Sequence, residues 1–214
     1  MRLLASGPRR WAALAGVLGV LALAAQAVPA VAWEWQAARW PHEPWRAFTA
    51  AAVHYSGLHL AANLVGTLLV GAFGVVAQVP PRCTAARPRP RPPCSAAAWA
   101  AAWPLTQLGL LAEPALARFG GLSGVLHAGV AVVALHLVHV GQGRRRIVGG
   151  AVLAGLVLKV LGESPWGAPL RAVAGWDILL APLAHASGSV AGLVCALVAE
   201  ALAQRVVPRP EPHR

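Results

Sequence analysis

An all-α membrane protein with six spanning helices is the fold class that this sequence predicts, and three observations carry the prediction. Of the 214 residues, 57% are hydrophobic and only 12% are charged, about half the charge of a soluble domain. The apolar residues fall into six runs parted by short polar joints, most of them close to the roughly 17–25 residues that a helix needs to cross the hydrocarbon core. The 18 Lys and Arg residues are shared unevenly among those joints. A water-soluble globule is excluded by the missing charge. A disordered chain is excluded because it would be poor in apolar residues. No hydrophilic stretch is long enough to fold separately, so residues 1–214 form one membrane domain. In a soluble protein the net charge of +11 would suggest nucleic acid. Here the charges lie between apolar runs, so the lipid bilayer is the expected partner and nucleic acid is not.

The runs are Trp11–Val31, His59–Val79, Ala96–Ala112, Leu122–Val140, Ile147–Leu161 and His185–Val207. Ala, Leu, Val and Gly dominate them without two-residue alternation, which favours helices over a β-barrel. The first follows a basic start, and Ala25-Gln26-Ala27 resembles a signal-peptide cleavage site. Its apolar stretch is longer than a usual signal core and five further runs follow, so it is expected to remain as a span. The joint Pro80–Pro93 is a proline-arginine spacer that can form neither helix nor sheet ladder. Cys83 and Cys94 bracket it and Cys195 lies in the last run; the three make no zinc-binding pattern.

Basic residues set the expected orientation. With the N-terminus inside, 13 of the 18 Lys and Arg residues are cytoplasmic: Arg2, Arg9, Arg10; Arg82, Arg87, Arg89, Arg91; Arg144, Arg145, Arg146; and Arg205, Arg209, Arg214. The other five, Arg39, Arg46, Arg118, Lys159 and Arg171, lie outside or near that end of a span. Five of the seven acids (Glu34, Glu43, Glu113, Glu163, Asp177) also fall outside. Both termini are expected in the cytoplasm.

Strongly polar side chains inside hydrocarbon are expensive and usually face a cavity or another helix. Here they are His54, His59, Asn63, Ser123, His127, His136, His139, His185 and Glu200. His59 opens the second run with Asn63 one turn later, Ser123 opens the fourth with His127 one turn later, and His185 opens the sixth. Three helices thus bring hydroxyl, imidazole and amide groups to a similar depth on one side. A buried hydrolytic site needs that set: a nucleophile, a base and donors for an oxyanion. His136 and His139, just before a run of arginines, read as interface-facing. Glu200 is expected to reach headgroups or Arg205, and Lys159 to snorkel to the outer interface.

Four motifs in order resemble the rhomboid family of intramembrane serine proteases. Phe119–Gly129, FGGLSGVLHAG, is similar to the family's Gly-x-Ser-Gly nucleophile motif. Trp45-Arg46, His54, His59 and Asn63 follow the spacing of its second-helix signature, and His185 followed by Gly188 and Gly192 resembles its last-helix pattern. The resemblance implies a six-helix rhomboid-like bundle without metal or cofactor, in which Ser123 is the nucleophile and His185 the base. It further implies an oxyanion hole of His59, Asn63 and the Ser123 N–H. Gly121 and Gly124 give the backbone room around the serine, Gly188 and Gly192 let the last helix approach it, and Arg46 and His54 brace the outer loop. His127 stands where many rhomboids carry an aromatic residue stacked on the catalytic histidine, and it is expected to stack rather than act as base.

The short chain and the sequence around Ser123 look like the rhombosortase branch, although Ala128 stands where a glycine is expected. That branch implies membrane-anchored protein substrates with a C-terminal Gly-Gly-type tail, cut near the extracytoplasmic boundary of a bacterial inner membrane. The family pattern supplies no acid, and Asp177 is set aside as a third member. Two other classes fit parts of the sequence. One is a histidine-rich membrane protein binding haem or a metal; the other is a rhomboid-like binding protein without activity, disfavoured because both serine and histidine are present.

Overall fold

In the computed structural model, residues 6–78 and 96–206 are described. The Pro80–Pro93 joint with Cys83 and Cys94, and the terminal arginines Arg2, Arg209 and Arg214, lie outside those residues. In chain order the elements are α1 (Ser6–Ala24), α2 (Ala30–Trp33), β1 (Trp35–Gln36), α3 (Arg46–Thr49), α4 (Gly57–Gln78), α5 (Ala96–Leu108), β2 (Arg118–Phe119), α6 (Ser123–Val140), α7 (Arg144–Gly162) and α8 (Pro182–Val206). The chain is therefore mostly helical. Among the described residues four helices, over Gly7–Ala27, Gly57–Gln78, Ser123–Val140 and Pro182–Ala203, are long and apolar enough to cross a membrane. The third and fifth runs become α5 and α7. The first has 13 residues, and the second has 19 residues but carries Arg144, Arg145, Arg146 and Lys159.

Helix ends follow local chemistry. The α1 helix stops at Ala24, passes through a single 3-10 turn and meets Pro29, so the first apolar run is broken before its expected end at Val31. Ser56 caps α4: its Oγ accepts the His59 N–H at 3.0 Å, satisfying one of the donors a helix start leaves open. Gly143, at φ +52°, turns the chain into α7, and Pro182 opens α8, where its missing N–H costs nothing.

The central element is α6, with 67% of its spanning window buried, against 28–33% for the other three. It packs on α8, α7, α4 and α5, while α1 lies against α4 and α5. Two tryptophans tie these layers. Trp11 stacks on Trp99 with ring centroids 4.4 Å apart. Trp11 Nε1–H donates to the Val70 carbonyl at 3.0 Å and Trp99 Nε1–H to that of Val125 at 2.8 Å. Each ring buries its apolar body and still satisfies its one polar atom. With Trp11 fully buried, α1 is an integral part of the core. Outward faces are apolar: Leu68 is 74% exposed, Ile147 71% and Leu158 70%. In water these residues would be a liability, whereas lipid tails are as apolar as they are. A multi-pass membrane protein is the architecture that results.

Close contact between α6 and α8 is made by small residues. A Cβ on Gly188 would lie 1.9 Å from the Gly124 carbonyl oxygen, and one on Gly192 would lie 2.4 Å from that of Ala128. The two backbones touch, as small-residue stripes permit in membranes. At the opposite end of α6, His139 Nδ1 bonds Glu200 of α8, so Glu200 serves an interhelical contact rather than Arg205 or the headgroups. His136, expected at the interface, is buried.

Gly188→Ala should lower the unfolding temperature of the detergent-solubilised protein, because overpacking at a backbone contact costs about 1–3 kcal/mol. Gly150→Ala on α7, where a Cβ meets nothing within 4 Å, should be neutral or stabilising by up to about 1 kcal/mol. Equal effects of the two changes would mean that α6 and α8 do not meet as described.

Candidate active site

Ser123 is the first residue of α6, and the chain reaches it through a turn that only glycine accommodates. Gly121 has φ +143°, and a Cβ there would come within 2.9 Å of His59 Nε2. The turn is fixed on both sides. The Gly121 N–H donates to the Ala50 carbonyl at 2.9 Å, and just before it β2 pairs antiparallel with β1, Trp35 opposite Phe119. Gly124 then admits α8: its Cβ would meet the Ala184 carbonyl at 2.6 Å. This approach brings His185, 62 residues away in sequence, to Ser123, with Nε2 and Oγ 2.9 Å apart.

The other face of the His185 ring is also occupied. His127 stacks on it at a centroid distance of 4.2 Å and an interplanar angle of 13°. His127 Nδ1–H donates to the Ser123 carbonyl at 2.7 Å, within its own helix. With Nδ1 on the backbone one turn back and Nε2 only 2.6 Å from Lys159 Nζ, His127 has no ring nitrogen left for the serine hydroxyl. Two residues that the sequence reading placed elsewhere reach the site as well. Glu163, just beyond α7, has Oε2 2.7 Å from His185 Nδ1. Lys159, expected to snorkel outward, instead has Nζ 2.9 Å from Glu163 Oε1, 2.6 Å from His127 Nε2 and 2.9 Å from His185 Nδ1. Burial opposes the Glu163 charge, but the bonds to His185 and Lys159 outweigh it and hold the carboxyl below its ordinary range. The available signal was the Lys159/Glu163 spacing of four at the C-terminal end of the fifth run, level with His185.

On the opposite wall stands His59. Its Nδ1 accepts the Tyr55 N–H at 3.4 Å, so the neutral ring carries its proton on Nε2, the atom that faces Gly121. His59 therefore points an N–H toward the start of α6. Asn63 is buried, but its amide donates to the His59 carbonyl at 2.9 Å, within α4. To serve an oxyanion it would have to leave that bond. His54 packs behind His59, ring centroids 4.7 Å apart, with Nδ1–H on the Ala52 carbonyl at 3.0 Å. Burial pushes His54 below its ordinary value despite that bond, so it stays neutral beside His59.

Arg46 braces the segment between α1 and α4. It is 3% exposed, donates to the carbonyls of Val31 at 3.0 Å and Glu34 at 2.8 Å, and pairs with Glu43. Asp177 lies away from His185 and accepts the Ser56 hydroxyl at 2.7 Å, pinning the 163–181 loop to the start of α4.

A cavity of about 350 Å³ opens between these groups, with Ser123, His185 and His59 in its wall beside Tyr55, Phe119, Ile178 and Leu180. Its far wall includes the buried Glu34, which Tyr55 and Arg118 bind at 2.9 and 3.1 Å. Chemically the cavity presents a hydroxyl with a base in contact, an imidazole N–H opposite and an apolar slot between. Among the described residues no group of three or more His, Cys, Asp or Glu side chains is arranged to hold a metal ion.

No protein-family model matches the chain and no curated protein is similar to it, so the functional reading rests on this geometry. Gly121→Ala tests the turn that presents the serine. It forces a strained φ and a contact with His59 at once, each costing about 1–3 kcal/mol. The variant should unfold at lower temperature, and His59→Ala should recover part of the loss by removing one of the two conflicts. No recovery in the double variant would mean that His59 does not lie against Gly121.

Proposed function

We propose that the protein is an intramembrane serine endopeptidase of the rhomboid type, with Ser123 as nucleophile and His185 as general base. The observation that carries the reading is the 2.9 Å contact of Ser123 Oγ with His185 Nε2 at the wall of a cavity inside an apolar bundle. Serine is a poor nucleophile at neutral pH and needs an adjacent base to become one. The four sequence motifs add support, because Ser123, His185 and His59, which they single out, line that cavity, and His127 stacks on the His185 ring.

In the proposed reaction the Ser123 hydroxyl adds to a peptide carbonyl while its proton passes to His185 Nε2. The oxyanion forms between the Ser123 N–H and His59 Nε2–H, with Asn63 joining if its amide turns from the His59 carbonyl. The C–N bond breaks as His185 returns the proton to the leaving amine. Water, deprotonated by the same imidazole, then releases the acyl group from Ser123. The proposed topology has six spans, the short α5 and the more charged α7 among them, both termini cytoplasmic, and the cavity opening to the extracytoplasmic side of a bacterial inner membrane. Proposed substrates are membrane-anchored proteins with a C-terminal Gly-Gly-type tail. Glycine leaves a helix readily, and a segment without side chains suits a narrow slot beside Ser123.

Co-expression with a membrane-anchored reporter bearing a Gly-Gly-type tail tests this directly. The intact protein should cut it, and Ser123→Ala and His185→Ala should each abolish cleavage without loss of membrane insertion. His59→Ala should reduce cleavage about 10²–10³-fold, the usual effect of removing one oxyanion donor. His127→Tyr should keep substantial activity by preserving the stacked ring, with His127→Ala losing part of it. Full activity in Ser123→Ala would sink the mechanism. Cleavage of a generic anchored substrate but not of the Gly-Gly reporter would refute the substrate class alone.

A further inference from the structure

We infer that Glu163 is a positioning residue that completes a Ser123–His185–Glu163 arrangement by selecting the tautomer of His185, with Lys159 holding the carboxylate in place. The inference rests on the reading of Ser123 and His185 as nucleophile and base, and extends it to an acid that neither the motifs nor the spacing of the runs had assigned. Its ground is the hydrogen-bond geometry around one imidazole, where two groups compete for a single ring nitrogen.

Both Glu163 Oε2, at 2.7 Å, and Lys159 Nζ, at 2.9 Å, lie within hydrogen-bond reach of His185 Nδ1. Lys159 can only donate, so a bond from it would require a bare Nδ1 and leave the proton on Nε2. Nε2 would then donate to Ser123 Oγ and could not act as base. Glu163 can only accept, so a bond to it requires Nδ1–H and leaves the Nε2 lone pair free for the Ser123 proton. Which partner holds Nδ1 decides whether His185 can work. An ionised carboxylate accepting from an imidazole N–H makes a charge-assisted bond, and it also stabilises the imidazolium formed when Ser123 attacks.

The other bonds fit an Nδ1–H on His185, and the 2.9 Å approach of Lys159 Nζ to Nδ1 is then a contact between two donors rather than a bond. Lys159 donates to Glu163 Oε1 at 2.9 Å and to His127 Nε2 at 2.6 Å. His127 accepts there because its own proton is on Nδ1, bonded to the Ser123 carbonyl at 2.7 Å. Lys159 thus has two acceptors other than His185, one of them the carboxylate it steadies. The Glu163 main chain is held too: Arg171 Nη1 donates to its carbonyl at 2.5 Å. The next residue, Ser164, sits at φ +50° without being glycine, a strained conformation that persists only where the surroundings impose it. The ionisable groups around His185 are then His127 from α6, Lys159 from α7, Glu163 just beyond α7, and His59 across the cavity; Asp177 is taken by Ser56.

The test uses the full-length protein in detergent with a fluorophosphonate probe, comparing wild type with Glu163→Gln and Glu163→Asp. The neutral amide can turn its NH₂ toward Nδ1 and so stabilise the wrong tautomer. Glu163→Gln should therefore cut the maximal labelling rate roughly 10²-fold or more while the half-saturating probe concentration changes by less than about twofold. Glu163→Asp should restore much of the rate. Proton NMR of the wild type should show a far-downfield His185 Nδ1–H resonance that disappears in Glu163→Gln, a signature that reports the bond whether or not a variant is active. A Glu163→Gln rate within about threefold of wild type, or no such resonance in the wild type, would overturn the inference. If Ser123→Ala and His185→Ala are inert while Glu163→Gln is unaffected, the positioning role alone fails. If His185→Ala reacts like wild type, the underlying reading fails and the inference falls with it.

Discussion

Everything in the site depends on two helix backbones touching. Gly124 and Ala128 on α6 face Gly188 and Gly192 on α8 so closely that a methyl group at either of the last two would collide with a main-chain carbonyl. Ser123 and His185 lie at one end of that seam, one residue before Gly124 and one turn before Gly188–Ser189 respectively. Their 2.9 Å separation is a consequence of how near the backbones come rather than of long side chains reaching across. In a bilayer there is no water to expel between helices, so a seam of this kind is held by packing. It therefore demands small residues where a soluble bundle would use interlocking large ones. Trp11 and Trp99 perform the complementary task between α1, α4, α5 and α6, filling volume and spending their N–H groups on the Val70 and Val125 carbonyls.

A polar site inside such a bundle must account for each of its hydrogens, because an unpaired donor or acceptor in a low-dielectric interior is costly. The groups around Ser123 meet that demand by forming a connected set: Ser123 with His185, His185 with Glu163, Glu163 with Lys159, Lys159 with His127, and His127 back to the Ser123 carbonyl. The loop closes on the residue where it began. His59 is placed differently, with Nδ1 tied to the Tyr55 N–H and the other nitrogen directed toward the cavity. In the proposed reaction it is a donor fixed in position beforehand, which is the condition for stabilising charge that develops later.

The helices were legible because apolar composition reports directly on contact with lipid or core. The run His59–Val79 corresponds to α4 over Gly57–Gln78, and Leu122–Val140 to α6 over Ser123–Val140. The end of α1 was less legible, since Ala and Val continue past Ala24 and only Pro29 marks the break. Ser123, His59, His127 and His185 were visible as polar residues opening apolar runs at one depth. Glu163, Lys159 and the pairing of Glu200 with His139 were not, because each depends on which way a helix is rotated and where its neighbour ends. Charge counting treated Glu163 as one of five outer acids and Lys159 as an interfacial cation, and nothing in a one-dimensional count separates a solvated carboxylate from one bonded to a buried imidazole. Asn63 shows the reverse. Its spacing suggested a donor to the cavity, and its amide is bonded to its own helix.

The central claim is that Ser123 is made nucleophilic by His185 within the membrane. The most direct measurement is the site of covalent modification when membranes containing the full-length protein are treated with a fluorophosphonate and the peptides are mapped by mass spectrometry. The account predicts a single adduct on Ser123, lost when His185 is replaced by alanine and the protein remains folded and inserted. An adduct on a different serine, or an unmodified Ser123 in folded wild-type protein, would contradict it.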